Sequence, residues 1–171
     1  MSLRDLESTQ FDIKKIRAVL PDDCSAILYD TLKKDKRHRS DIFKNLRGLV
    51  VLYEGEIDGR QQGHYVTLIP KKTHIEYFSS LGNSPNHEST ILGIENTAFK
   101  RLLGKNYKYS RAKLQRDRYD VNDCGLWAIA RCYLSKWPLQ KFQKFFSRRE
   151  HITGPDDKVS LMTYLLIAAE S

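Results

Sequence analysis

Nowhere in this chain does an apolar run extend far enough to cross a bilayer. The first residues, MSLRDLESTQFDIKK, also lack the apolar core of a secretion signal. Neither membrane insertion nor secretion is therefore expected. Cysteine is scarce: Cys24, Cys124 and Cys132 are the whole complement, too few for a disulfide framework, and a reducing compartment is the default. Cys124 and Cys132 lie eight residues apart on one expected helix. That is about 12 Å at 1.5 Å per residue, beyond the roughly 7 Å a disulfide can span. No CxxC or HxxxH spacing occurs, so no metal site is expected. Internal repeats, low-complexity tracts and linkers are missing too, and the 171 residues read as a single domain, 1–171.

What the chain does carry is positive charge. Its formal net charge is +8, with basic residues recurring in 33–39, 100–105, 111–118 and 141–149. Such an excess favours contact with polyanions, DNA among them. The remaining composition, 40 % hydrophobic and 29 % charged, is that of an ordinary globular protein.

In chain order, Ile13–Leu20 reads as a short helix stopped by Pro21. Cys24, Ile27, Leu28, Thr31 and Leu32 have helical spacing, which predicts a helix to about residue 34 with Cys24 buried on it. Strands are expected at Leu49–Tyr53, His64–Ile69 and His74–Ser79, with 54–63 as loop. Residues 80–90, holding Gly82, Asn83, Pro85 and Asn86, read as loop, and a helix is expected from Ile91 to about Gly104. A short strand at Tyr107–Ser110 and helices after Pro138 and from Gly154-Pro155 complete the pattern. The fold class is α+β: a small, mostly antiparallel sheet packed on a central helix, with further helices around it.

That central helix is the informative one. Leu126, Ile129, Ala130, Tyr133 and Leu134 recur at i, i+3, i+4, i+7 and i+8 after Cys124-Gly125. Asn122 and Asp123 are residue types that cap a helix start. Cys124 is thus expected at a helix N-terminus, where free amides and the helix dipole favour a thiolate. A nucleophilic cysteine requires a base, a group to orient that base, and donors for the oxyanion. Of the five histidines, His64 is the best placed, following Gly63 at a strand start. Trp127 and Trp137 read as core residues.

GHY (63–65), YFSSLGNSP (77–85), a glutamine, and DCG (123–125) opening an apolar helix together resemble the adenain-like cysteine proteases. This family includes the adenovirus-type maturation protease and relatives in large DNA viruses, virophages and Polinton-type elements; the SUMO-specific proteases share its core. The resemblance covers roughly residues 48–135. It implies a papain-like/adenain-like fold with Cys124 as nucleophile, His64 as general base and Gln115 as the oxyanion-hole side chain. Gln115 lies nine positions before Cys124, which makes RDRYD (116–120) a small insertion. The family's acidic or amide residue falls on Ser79, which can hydrogen-bond an imidazole but carries no charge. Glu76, three residues earlier on a strand, is expected on the opposite face. Tyr65 stands where the family commonly has tryptophan.

The resemblance implies an endopeptidase that cleaves capsid or core precursors at small-residue, Gly-Gly-X-like sites, inside the virion and infected cell. No cofactor is required, DNA is a candidate activator, and a monomer is expected. The alternative within the fold is a protease that deconjugates SUMO or another ubiquitin-like protein. The alternative of another class is a non-enzymatic basic protein that binds nucleic acid or coats a particle. That reading explains the charge but not the ordered motifs.

Overall fold

The computed structural model describes residues 12–57, 59–115, 123–147 and 154–170. Helix α1 (Ile13–Val19) starts where Asp12 accepts from the Lys15 amide at 2.8 Å, and it ends before Pro21. Strand β1 (Cys24–Leu28) runs straight into α2 (Tyr29–Lys34), and α3 (Arg39–Ile42) follows. Strands β2 (Gly48–Ile57), β3 (Arg60–Pro70) and β4 (Ile75–Ser79) form the middle of the sheet. Helices α4 (Pro85–Ile91) and α5 (Thr97–Leu103) lead to β5 (Lys108–Tyr109). Helices α6 (Cys124–Tyr133), α7 (Leu139–Ser147) and α8 (Pro155–Glu170) complete the described chain.

The architecture is α+β, with one five-stranded sheet in the order β1-β2-β3-β4-β5 among the described residues. The expected antiparallel trio is present as β2, β3 and β4. Each edge adds a parallel strand, β1 on β2 and β5 on β4, so the sheet is mixed. The expected helix beginning at Cys24 is instead a strand, Cys24–Leu28, and Cys24 is half-buried on it. Short apolar runs are ambiguous by periodicity, and here pairing with Gly48–Leu52 decides the outcome. Space is tight at that pairing: a Cβ on Gly48 would lie 3.1 Å from Cys132 Sγ and 3.2 Å from Cys24 Sγ.

The β2–β3 hairpin is longer than the alternation predicts. Pairing continues from Tyr53↔His64 out to Ile57↔Arg60, through residues read from sequence as loop. Glu54, Glu56 and Gln62 are exposed there, so the distal hairpin leaves the core and loses its apolar pattern. Near its tip Gly59 has φ +74°, the left-handed conformation that tight hairpin turns use. His64 is consequently inside a long strand, not at its start.

Successive residues of the sheet face alternate cores. On one face Val50, Tyr65 and Phe78 join α6, α7 and Val159 of α8. On the other, Val51, Tyr53, Val66, Leu68 and Tyr77 pack with Tyr29 and Leu32 of α2 and Phe99 of α5. Trp127 is fully buried and donates to Asp156 Oδ1 at 3.0 Å, tying α6 to the start of α8. Trp137 is only half-buried, with the Lys141 ammonium 4.5 Å from its ring centroid.

Glu76 faces α6, opposite to Ser79 as expected, and its carboxylate accepts from the buried Arg131 guanidinium. Arg131 also donates to the Leu134 and Trp137 carbonyls at 2.8 and 3.2 Å, bracing the turn after α6. Removing one partner of such a pair leaves a buried charge uncompensated. Glu76→Ala is expected to cost about 3–5 kcal/mol, read as a lower urea midpoint. A midpoint within error of the wild type would show that Arg131 finds compensation elsewhere.

Candidate active site

Strand β4 ends at Ser79, which pairs with Val66. His64 and Tyr65 therefore lie on β3 beyond the last residue of β4. Cys124 is the first residue of α6 and is 3 % exposed. The Tyr65 backbone N–H donates a hydrogen bond to its sulfur. The thiol is thus held against the main chain of the residue that follows His64. This is the contact that brings the two halves of the motif together.

Asp123 precedes the helix in helical backbone geometry (φ −73°, ψ −14°) and makes no capping side-chain bond; its carbonyl accepts from Trp127 N. The other expected cap, Asn122, lies outside the described residues, as do 116–120 and His151. The thiolate expectation is reversed for the free protein. Burial pushes the Cys124 thiol up to about 11, against the pull of the Tyr65, Gly125 and Cys124 backbone amides. Burial likewise draws His64, 6 % exposed, down to about 4. At neutral pH the resting pair is thiol and neutral imidazole, because desolvation penalises both charges.

His64 Nε2 lies 3.0 Å from Ser79 Oγ, so the serine does engage the ring. Ser79 does not end the chain of contacts. Its hydroxyl lies 3.0 Å from Glu88 Oε2 and donates to it. The other carboxylate oxygen of Glu88 is 3.4 Å from His64 Nε2. Glu88 comes from α4, within the segment read from sequence as loop, and is 2 % exposed. Burial raises the Glu88 carboxyl above its ordinary range, while hydrogen bonds from Ser79 and Asn83 lower it. A signal for α4 was available: Ser84-Pro85 followed by Glu88 has the cap, the N-terminal proline and the acid of a helix start. Nothing in the sequence alone could have placed that acid against β4.

Gln115 sits at the edge of the same site. Its backbone N–H donates to the Ser80 carbonyl at 3.1 Å, beside a 2.8 Å bond from Leu114 N. Its Oε1 accepts from Ser80 Oγ at 2.6 Å. With the oxygen so engaged, the amide NH₂ is the end of the side chain that can donate to an oxyanion. Gly82 makes this docking feasible. It has φ +74°, and a Cβ would lie 2.8 Å from the Arg111 carbonyl oxygen. Both the backbone conformation and the close approach require glycine. The structure therefore joins His64 and Ser79 by a hydrogen bond, holds Cys124 against the main chain of Tyr65, the residue after His64, and anchors Gln115 to the residue after Ser79. Tyr65 belongs to the core and is nearly buried. Among the described residues, no group of three or more His, Cys, Asp or Glu side chains is placed to hold a metal ion. No described helix is long and apolar enough to cross a membrane.

No protein-family model matches the chain. It is similar to the "uncharacterized protein V9" of Sputnik virophage, with 23 % identity over 172 residues, 91 % of this chain and 93 % of the relative. Among solved structures, the SUMO protease Ulp1, its catalytic cysteine oxidised to a sulfonic acid, superposes with a TM-score of 0.46. That match has 14 % identity and covers 99 % of this chain and 85 % of the solved Ulp1 chain. The central domain of an uncharacterised Legionella pneumophila protein gives a TM-score of 0.42 at 14 % identity, over 95 % of this chain and 99 % of that one.

Proposed function

We propose that this protein is a cysteine endopeptidase of the adenain-like maturation type, cleaving a capsid or core precursor at small-residue, Gly-Gly-X-like sites. The observation that carries the reading is the Cys124 sulfur hydrogen-bonded to the backbone of Tyr65, the residue that follows His64, whose own Nε2 is engaged by Ser79. That engagement leaves Nδ1 as the ring nitrogen for the thiol proton. The similarity to a virophage protein fits the viral setting. DNA as an activator fits the net charge of +8 and the exposed lysines and arginines of 33–39 and 100–113.

In this reading the proton passes from Cys124 Sγ to His64 Nδ1 as the sulfur attacks the scissile carbonyl carbon. The carbonyl oxygen becomes an oxyanion held by the Gln115 amide and the Cys124 backbone N–H. The C–N bond then breaks, with His64 returning the proton to the leaving amine. Water attacks the thioester, His64 takes its proton, and the acid product leaves with the thiol restored. Because the resting pair is neutral, the charge separation is created during attack.

Two outcomes follow. The ¹³Cβ shift of Cys124 is expected to report a thiol through the neutral range, with ionisation near pH 11; a titration step below neutrality would show a resting thiolate. On Gly-Gly-X precursor peptides, Gln115→Ala is expected to lower kcat by about 10²–10³ without loss of melting temperature. Running the same assay on SUMO precursors, with and without DNA, tests the substrate class. Cleavage of the SUMO substrates alone would replace the maturation reading with deconjugation, and an inert protein with intact fold would favour a non-enzymatic basic domain.

A further inference from the structure

The geometry points to Glu88 as the residue that supplies the site's negative charge, positioning and polarising His64 through the Ser79 hydroxyl. This rests on the reading of Cys124 and His64 as a catalytic pair. A serine carries one hydroxyl proton. Ser79 donates it to Glu88 Oε2 at 3.0 Å. Its oxygen can then only accept, and it receives the Leu81 amide at 3.3 Å and faces His64 Nε2 at 3.0 Å. The imidazole must therefore carry its proton on Nε2, which leaves Nδ1 bare to take a proton from the thiol. Glu88 Oε1, 3.4 Å from the same Nε2, adds a direct Coulomb attraction once the ring becomes cationic.

The carboxylate is built into this position. It is almost fully buried, a costly place for an acid without partners, and Ser79 and Asn83 both hydrogen-bond it. The other titratable groups that face it are the buried phenols of Tyr53 on β2 and Tyr77 on β4. Cys124 itself faces Asp123 and Tyr65. The charge that strand β4 lacks at position 79 is thus delivered from α4, one hydrogen bond further out.

The test uses the full chain with Cys24→Ser, so that the half-exposed thiol does not compete. ¹⁵N NMR of the histidines gives the tautomer and titration of His64, and iodoacetamide alkylation mapped to Cys124 gives its rate against pH. Glu88→Gln keeps the shape and removes the charge. It is expected to move the His64 titration down by about 1 in pH or more and to slow alkylation about tenfold. The double variant Ser79→Asp/Glu88→Gln, with the charge returned directly to β4, is expected to recover most of both. If Glu88→Gln does not fold, the double variant and Ser79→Ala carry the comparison: Ser79→Ala should lower the His64 titration and mix the tautomers. Wild-type titration and rate in Glu88→Gln, or an unchanged His64 in Ser79→Ala, would overturn the role of Glu88 while leaving the pair intact. Alkylation of Cys124 that does not depend on His64 would instead overturn the catalytic pair, and this inference with it.

Discussion

Burial of α6 against the sheet is the constraint on which the rest of this structure depends. Every residue from Cys124 to Cys132 is buried, including Arg131, which is locked to Glu76 of β4. A helix held on all sides cannot slide or roll without opening the core. Its first residue therefore has a fixed position, and that position is against the main chain of β3 at Tyr65. The same burial has a chemical consequence. It withholds charge from both the thiol and the imidazole, so both rest neutral, and in the proposed mechanism attack depends on groups that meet charge as it forms.

Those groups lie on the opposite side of the sheet's end. Ser79, Ser80 and Gly82 occupy consecutive parts of one turn, and each fixes a different component. Ser79 holds His64, Ser80 holds the oxygen of Gln115, and Gly82 lets residues 111–112 approach closely enough for Gln115 to reach. The YFSSLG stretch is thus a junction between His64 and Gln115, the base and oxyanion donor of the proposed mechanism. Its serine at position 79 acts as a bridge to a carboxylate that the strand itself does not provide.

How much of this was legible follows from where each signal resides. The α6 helix, the three antiparallel strands and the terminal helices were readable because their apolar periodicity spans enough residues to be unambiguous. Cys24–Leu28 was misread because five residues fit either period and a long-range parallel pairing decided the matter. The distal hairpin was missed because it projects into solvent and has no reason to alternate. Cys124, His64, Gln115 and Ser79 are singled out by the order of motifs, and the hydrogen bonds of His64 to Ser79 and of Gln115 to Ser80 are what the structure adds. Their side-chain states were not, since desolvation depends on the packed whole: the thiol that a helix start would acidify is instead raised by burial. Glu88 was invisible for a similar reason. It sits in a segment rich in Gly, Pro, Asn and Ser, and its relevance arises only when α4 folds back over Ser79.

The central claim is that Cys124 is a nucleophile whose reactivity depends on His64. The most direct test is a short Gly-Gly peptide ending in a vinyl sulfone, incubated with the Cys24→Ser protein and mapped by tryptic mass spectrometry. The account predicts one adduct, on Cys124, that disappears in His64→Ala while the circular dichroism spectrum is unchanged. Equal labelling of Cys124 with and without His64, or no adduct on Cys124 in the folded protein, would contradict it.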